Sequence, residues 1–224
     1  MKPRRVVQAL VVLLCVVFSA CPATRQLSSF KEKHKAGDYA GIAQQTVKCE
    51  SMDDICGQLH LMKGDACFRL AMQNSDAVQQ YACAVTELDK GIQYTKTWQR
   101  GDAQLNRPQT YANLCESLRA WQDRERGAEA ERLTQQLLDV SKRFLMAEPG
   151  HPAAVYYNAS ARYTLLRPDL LHPQDAQRLC RQLNELTSLL NAALPRSSSI
   201  DYKPHIMRLQ SDIDGAKRTI AGCR

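Results

Sequence analysis

The sequence contains no C-x-x-C pair, and its His residues are scattered along the chain. It therefore offers neither a thioredoxin-like redox site nor a zinc-ligand set. It also lacks G-x-S-x-G, H-E-x-x-H, a P-loop and a Rossmann glycine set, so the common hydrolase, metalloprotease and nucleotide-binding signatures are missing. No catalytic residue, metal or cofactor is expected. Sustained apolar/polar alternation bounded by turn residues is absent, which argues against a sheet. No basic stripe is flanked by aromatics, and Lys and Arg are interspersed with Asp and Glu, so nucleic acid is not an expected partner. Long apolar runs are missing too. The stretch from Val6 to Phe18 is too short for a bilayer core of about 30 Å, which needs about 20 apolar residues.

What is present begins with that stretch. Lys2, Arg4 and Arg5 precede it, and a basic head on a short apolar run reads as a signal peptide. It ends in Phe18-Ser19-Ala20-Cys21, which resembles the lipobox of bacterial lipoproteins, although Phe18 stands where Leu is usual. The resemblance implies cleavage by signal peptidase II before Cys21 and lipidation of that residue. The alternative is an ordinary secretory cut after Ala20 or Ala23, and Pro22 disfavours the first of these. Position 22 is not Asp, the usual inner-membrane retention residue, which favours the periplasmic face of the outer membrane. The expected organisation is a signal peptide at 1–20, a lipidated tether at 21–28 and one helical domain at 29–224. Loss of Lys2, Arg4 and Arg5 takes the formal charge from +7 to +4, which is unremarkable.

Of nine cysteines, Cys15 leaves with the leader and Cys21 goes to lipid. The remainder, Cys49, Cys56, Cys67, Cys83, Cys115, Cys180 and Cys223, is an odd set that suggests disulfides in an oxidising compartment, with at least one thiol free or paired between chains. Cys49 and Cys56 flank a short connection containing Ser51, Asp53 and Asp54 and could staple it. The pairing of Cys67, Cys83 and Cys115 stays open.

Apolar spacing is helical almost throughout. The pattern predicts helices near 26–36, 39–48, 54–71, 76–93, 108–123, 127–146, 153–165, 174–194 and 204–221. Ser75-Asp76 offers a cap, and Pro108, Pro152, Pro173 and Pro204 suit first turns. Three stripes recur at steps of three or four and read as core: Ile55, Leu59, Met62, Ala66, Leu70; Leu133, Leu137, Val140, Phe144; and Ile206, Leu209, Ile213, Ala216, Ile220. Facing residues of an antiparallel hairpin have position numbers with a constant sum. Leu194 with Leu209, Leu190 with Ile213, Leu183 with Ile220 and Cys180 with Cys223 share one such sum, about a turn beginning Ser197-Ser198-Ser199. A Cys180–Cys223 disulfide closing that hairpin is therefore expected; the alternative is that each Cys is a small buried apolar residue.

Short connections between such helices favour stacked antiparallel pairs. Ala36-Gly37-Asp38-Tyr39 with Ile42-Ala43, Lys63-Gly64-Asp65-Ala66-Cys67-Phe68, and Glu148-Pro149-Gly150-His151-Pro152-Ala153-Ala154 resemble turn and helix signatures of the tetratricopeptide-repeat family. The resemblance spans about residues 26 to 165 and implies an all-α solenoid of about eight or nine helices. Thr95 to Arg107 interrupts it with no apolar period and contains Trp98, Arg100, Gly101, Asp102 and Asn106.

His151 and His172 precede prolines and read as cap residues, and Glu116 near Trp121 and Asp123 as ordinary helix surface. Tyr156, Tyr157, Asn158 and Tyr163 are the candidates for lining a groove, with buried packing as the alternative. The reading is a non-enzymatic lipoprotein scaffold or assembly factor that holds other cell-envelope proteins. The alternative is a small-ligand-binding accessory to a periplasmic transporter of the tripartite type.

Overall fold

A computed structural model describes residues 22–49, 51–74, 77–98, 105–171, 175–197, 202–220 and 222–223 of the 224-residue chain. The leader 1–20, Cys21, the Ser75-Asp76 cap, residues 99–104 of the Thr95–Arg107 excursion, His172 with Pro173, and Ser198-Ser199 lie outside the described residues.

Among the described residues the chain is all-α, with no strand. The helices are α1 (Pro22–Lys35), α2 (Tyr39–Ala43), α3 (Asp54–Gln73), α4 (Val78–Tyr94), α5 (Arg107–Gln122), α6 (Gly127–Ala147), α7 (Pro152–Leu171), α8 (Ala176–Ala193) and α9 (Lys203–Thr219), with a 3₁₀ turn at Leu194–Arg196. Their starts are set by local chemistry. The Asp53, Asn106 and Asp175 carboxylate or amide oxygens accept from the backbone N–H of Cys56, Gln109 and Arg178, each at 2.8–2.9 Å. Pro108, Pro152 and Pro204 occupy first turns, where a missing N–H costs nothing.

Consecutive helices pack as antiparallel pairs, and odd-numbered helices also pack on one another, α1 on α3, α3 on α5, α5 on α7 and α7 on α9. A continuous core results. Phe30, Ile42, Leu59 and Met62 fill its first part, Leu88, Leu114, Leu137 and Phe144 its middle, and Leu183, Leu190, Ile206 and Ile213 its end. The stripes behave as core with few exceptions: Ile55 is exposed, and Leu70 and Ala216 are half-buried.

Three expectations need correction. Residues 22–28 are not a tether but the first two turns of α1, because Ala23 and Leu27 find apolar partners and are buried. The helix expected over 39–48 stops at Ala43. There Gln26 takes over the backbone, donating to the Thr46 carbonyl and accepting from the Lys48 N–H, both at 2.8 Å. The helix expected to end at 165 runs on to Leu171 through Pro168. The hydrogen bond that Pro168 cannot make falls in the exposed last turns, where water can serve the freed carbonyl.

Candidate functional site

On α7, Tyr156, Ser160, Tyr163 and Arg167 follow one another at steps of three and four and share one face, with Thr164 at its edge. The chain sets Arg119 of α5 and its C-cap Asp123 on one side of that face and His205, Arg208 and Asp212 of α9 on the other. Together they enclose an open groove of about 750 Å³ across three odd-numbered helices. Its aromatic end is a cluster in which the Tyr156 ring lies 5.5 Å from His205, 6.3 Å from Tyr202 and 5.0 Å from Tyr157. Farther along, the Tyr163 hydroxyl donates to the Asp212 carbonyl at 3.2 Å and ties α7 to α9.

The charges differ in how firmly they are held. Arg119 meets Glu116 through two parallel bonds, Nη2 to Oε1 at 2.6 Å and Nε to Oε2 at 3.0 Å, and reaches Asp123 Oδ2 at 2.9 Å. Its hydrogen bonds to Glu116 raise its pKa against the opposing effect of burial, so it is a fixed cation. Arg167 and Arg208, by contrast, are exposed and ion-paired to no described residue. Burial raises the phenol pKa of Tyr156, against the nearby Arg119 charge, and that of Tyr163, so both stay neutral hydrogen-bonding groups at neutral pH. Flat rings, neutral hydroxyls and two exposed guanidinium groups with no ion pair to a described residue suit an extended segment that offers carbonyls, carboxylates and apolar side chains.

Of the four residues singled out for a groove, Tyr156 and Tyr163 line it and Tyr157 and Asn158 do not. Adjacent helical positions are about 100° apart, so residues 156, 157 and 158 cannot share a face. The buried Tyr157 donates its hydroxyl to Glu116 Oε2 at 2.9 Å, and the buried Asn158 donates to Ser141 Oγ at 3.2 Å. Glu116 is accordingly not plain surface but the acceptor that joins α5 to α7. His151 does serve as a cap, its Nδ1 accepting from the Ala153 N–H at 3.3 Å. The sequence reading missed Arg119, Arg167, His205 and Arg208. A polar row at 156, 160, 163, 164 and 167 could have pointed to Arg167; the α9 contribution depends on tertiary packing.

Two His–carboxylate pairs lie elsewhere. His34 Nε2 meets Asp65 Oδ2 at 2.8 Å, and Asp65 also accepts from Arg69 Nε at 2.7 Å and Asn113 Nδ2 at 3.3 Å. His60 Nδ1 meets Glu87, which also pairs with Lys63 Nζ at 3.0 Å. Burial opposes ionisation of Glu87, but hydrogen bonds from His60 and Lys63 prevail and lower its pKa. Neither imidazole is hydrogen-bonded to a hydroxyl or thiol among the described residues, so each pair bridges helices without facing a nucleophile. No group of His, Cys, Asp or Glu among the described residues is arranged to hold a metal ion.

Three disulfides join Cys49 to Cys56, Cys67 to Cys83 and Cys180 to Cys223, with Cα separations of 5.6, 5.9 and 5.4 Å. Cys115 is free and buried among apolar side chains, and burial pushes its thiol far above the usual range. No described helix is long and apolar enough to cross a membrane. Compared with protein-family models, curated proteins and solved structures, the chain matches none.

Proposed function

We propose that the protein is a lipid-anchored, non-enzymatic scaffold of the bacterial envelope, held at Cys21 on the periplasmic face of the outer membrane, that grips an extended segment of a partner protein in the α5–α7–α9 groove. The observation that carries the reading is the groove itself, where Tyr156 and Tyr163 stand beside Arg167 and Arg208, exposed and ion-paired to no described residue. The stacked helix pairs support it, since arrays of this kind bind extended segments on the surface formed by every second helix. The leader and the resemblance to a lipobox supply the location, and the disulfides fit an oxidising compartment.

A second reading, a small-ligand-binding accessory to a periplasmic transporter, is favoured by one feature. Two exposed guanidinium groups with no carboxylate partner among the described residues, at a groove of about 750 Å³, suit a small carboxylate or phosphate as well as an acidic segment.

Photo-crosslinking in cells tests the proposal. A crosslinking side chain at Ser160 is expected to capture a discrete envelope protein. The same side chain at Arg181, on the exposed side of α8, is not. Arg167→Ala with Arg208→Ala should abolish capture from Ser160. Equal capture from both positions, or capture indifferent to the two arginines, contradicts the scaffold reading. Absence of a protein adduct together with saturable binding of a small anion would favour the second.

A further inference from the structure

We propose that the edge of the array built from the start of α1, the stretches 44–49 and 51–53 and the chain at 94–97 rests directly on the lipid surface, so that the helix stack stands on the membrane in one fixed orientation. The inference rests on the lipid-anchor reading and goes beyond it to the surface that meets the bilayer.

The argument begins with chain length. A lipid on Cys21 would be separated from α1 by one peptide bond, and consecutive Cα atoms are about 3.8 Å apart. Ala23 and Leu27 are buried against α3 and its neighbours, so α1 belongs to the rigid domain from its second residue onward. Only Cys21 and its thioether link would separate the domain from the acyl chains, which keeps the domain close to the surface.

The same edge is braced around that point. Gln26 binds the Thr46 carbonyl and the Lys48 N–H, and the Cys49–Cys56 disulfide ties the loop to the first turn of α3. Asp54 Oδ1 accepts from the Lys96 and Thr97 N–H groups at 2.6 and 3.0 Å, which brings the end of α4 to the same level. On this braced loop Met52 is 71 % exposed, and beside it Ile55 in the first turn of α3 is 37 % exposed. Exposed apolar side chains of this size within the stretch closed by the Cys49–Cys56 disulfide suit insertion among lipid headgroups.

Lys48 and Lys96 are exposed at this edge, and Asp53 and Asp54, held ionised by backbone N–H groups, stand beside them. The edge thus carries both signs, and its apolar tip rather than its charge suits it to a phospholipid surface. The turns at 36–38 and 123–126 lie at the opposite ends of α1 and α5 and would face away from the membrane.

The test uses the processed protein purified with its N-terminus intact and reconstituted into phosphatidylcholine–phosphatidylglycerol vesicles that contain a photoactivatable phospholipid. After irradiation, digestion and mass spectrometry locate the lipid adducts, and the mass of the N-terminal peptide reports whether Cys21 carries lipid. The expected result is lipid on Cys21 and adducts concentrated on the peptide containing Met52 and Ile55. A flexible Gly-Ser linker of about ten residues inserted between Cys21 and Pro22 should reduce those adducts several-fold. Lipid on Cys21 with adducts spread evenly, concentrated at the opposite edge or unchanged by the linker would overturn this inference and leave the anchor intact. An unlipidated N-terminus would overturn both.

Discussion

A Cβ on Gly64 would stand 2.8 Å from the backbone nitrogen of Leu88, and a Cβ on Gly91 would stand 2.8 Å from that of Leu61. The contact is reciprocal, so α3 and α4 touch backbone to backbone across two glycines. Alanine is the better helix former by about 1 kcal/mol, whereas overpacking costs about 1–3 kcal/mol. Here the close contact is with backbone, so the second effect should win. Gly64→Ala and Gly91→Ala should each lower the urea midpoint. Gly215→Ala should raise it slightly, because its Cβ would meet only the end of Arg218 at 3.9 Å.

Asp65 is 1 % exposed and serves three donors on α1, α3 and α5. Removing the carboxylate leaves His34 and Arg69 without their shared acceptor, and breaking a buried pair from one side costs about 3–5 kcal/mol. Asp65→Ala should therefore cost about that much in equilibrium unfolding, far more than Asp139→Ala at an exposed pair, which is worth about 0–1 kcal/mol.

The disulfides make a chemical prediction. Among the described cysteines, alkylation under denaturing, non-reducing conditions should label Cys115 alone, and native protein should resist even that. The Cys180–Cys223 bond closes 43 residues, and constraint of the unfolded chain is worth about 4 kcal/mol for such a loop. Cys180→Ser with Cys223→Ser should lose most of this, measured in denaturant. Peptide mapping that finds Cys67 joined to a cysteine other than Cys83 would contradict the arrangement of α3 and α4.

Burial, and after it the Glu116 charge, keeps the Tyr157 phenol protonated well above its ordinary value of 10.0. A raised folded pKa stabilises the fold fully below the unfolded value and loses that contribution as pH rises beyond it. Unfolding free energy should thus decline as pH climbs above about 10. Tyr157→Phe should flatten part of that decline and cost about 1 kcal/mol at neutral pH through the lost hydrogen bond.

Much of this fold could be read from local pattern, and the exceptions have physical causes. The antiparallel sum pairs Cys180 with Cys223 because α8 and α9 run side by side, although Cys223 lies four residues past the end of α9. The same arithmetic holds for Gly57 with Thr95, Leu61 with Gly91 and Gly64 with Leu88, and it brings Cys67 to within two residues of its register with Cys83. That signal was present and unused. The missing tether was harder to foresee, since the weakly apolar start of α1 becomes helical only by packing on α3. In the groove, Tyr156 and Tyr163 were legible as neighbours on a helix, but periodicity alone could not decide which tyrosines turned outward. The contribution of His205 and Arg208 is set by how α9 lies on α7, which spacing within either helix does not encode.

The most direct test of the account is the mass of the N-terminal peptide of the mature protein isolated from bacterial membranes. The account predicts a peptide that begins at Cys21 and carries thioether-linked diacylglycerol and an amide-linked acyl chain, both lost in Cys21→Ala. A free amino terminus at another residue, or full-length protein with its leader intact in the cytosol, would contradict it.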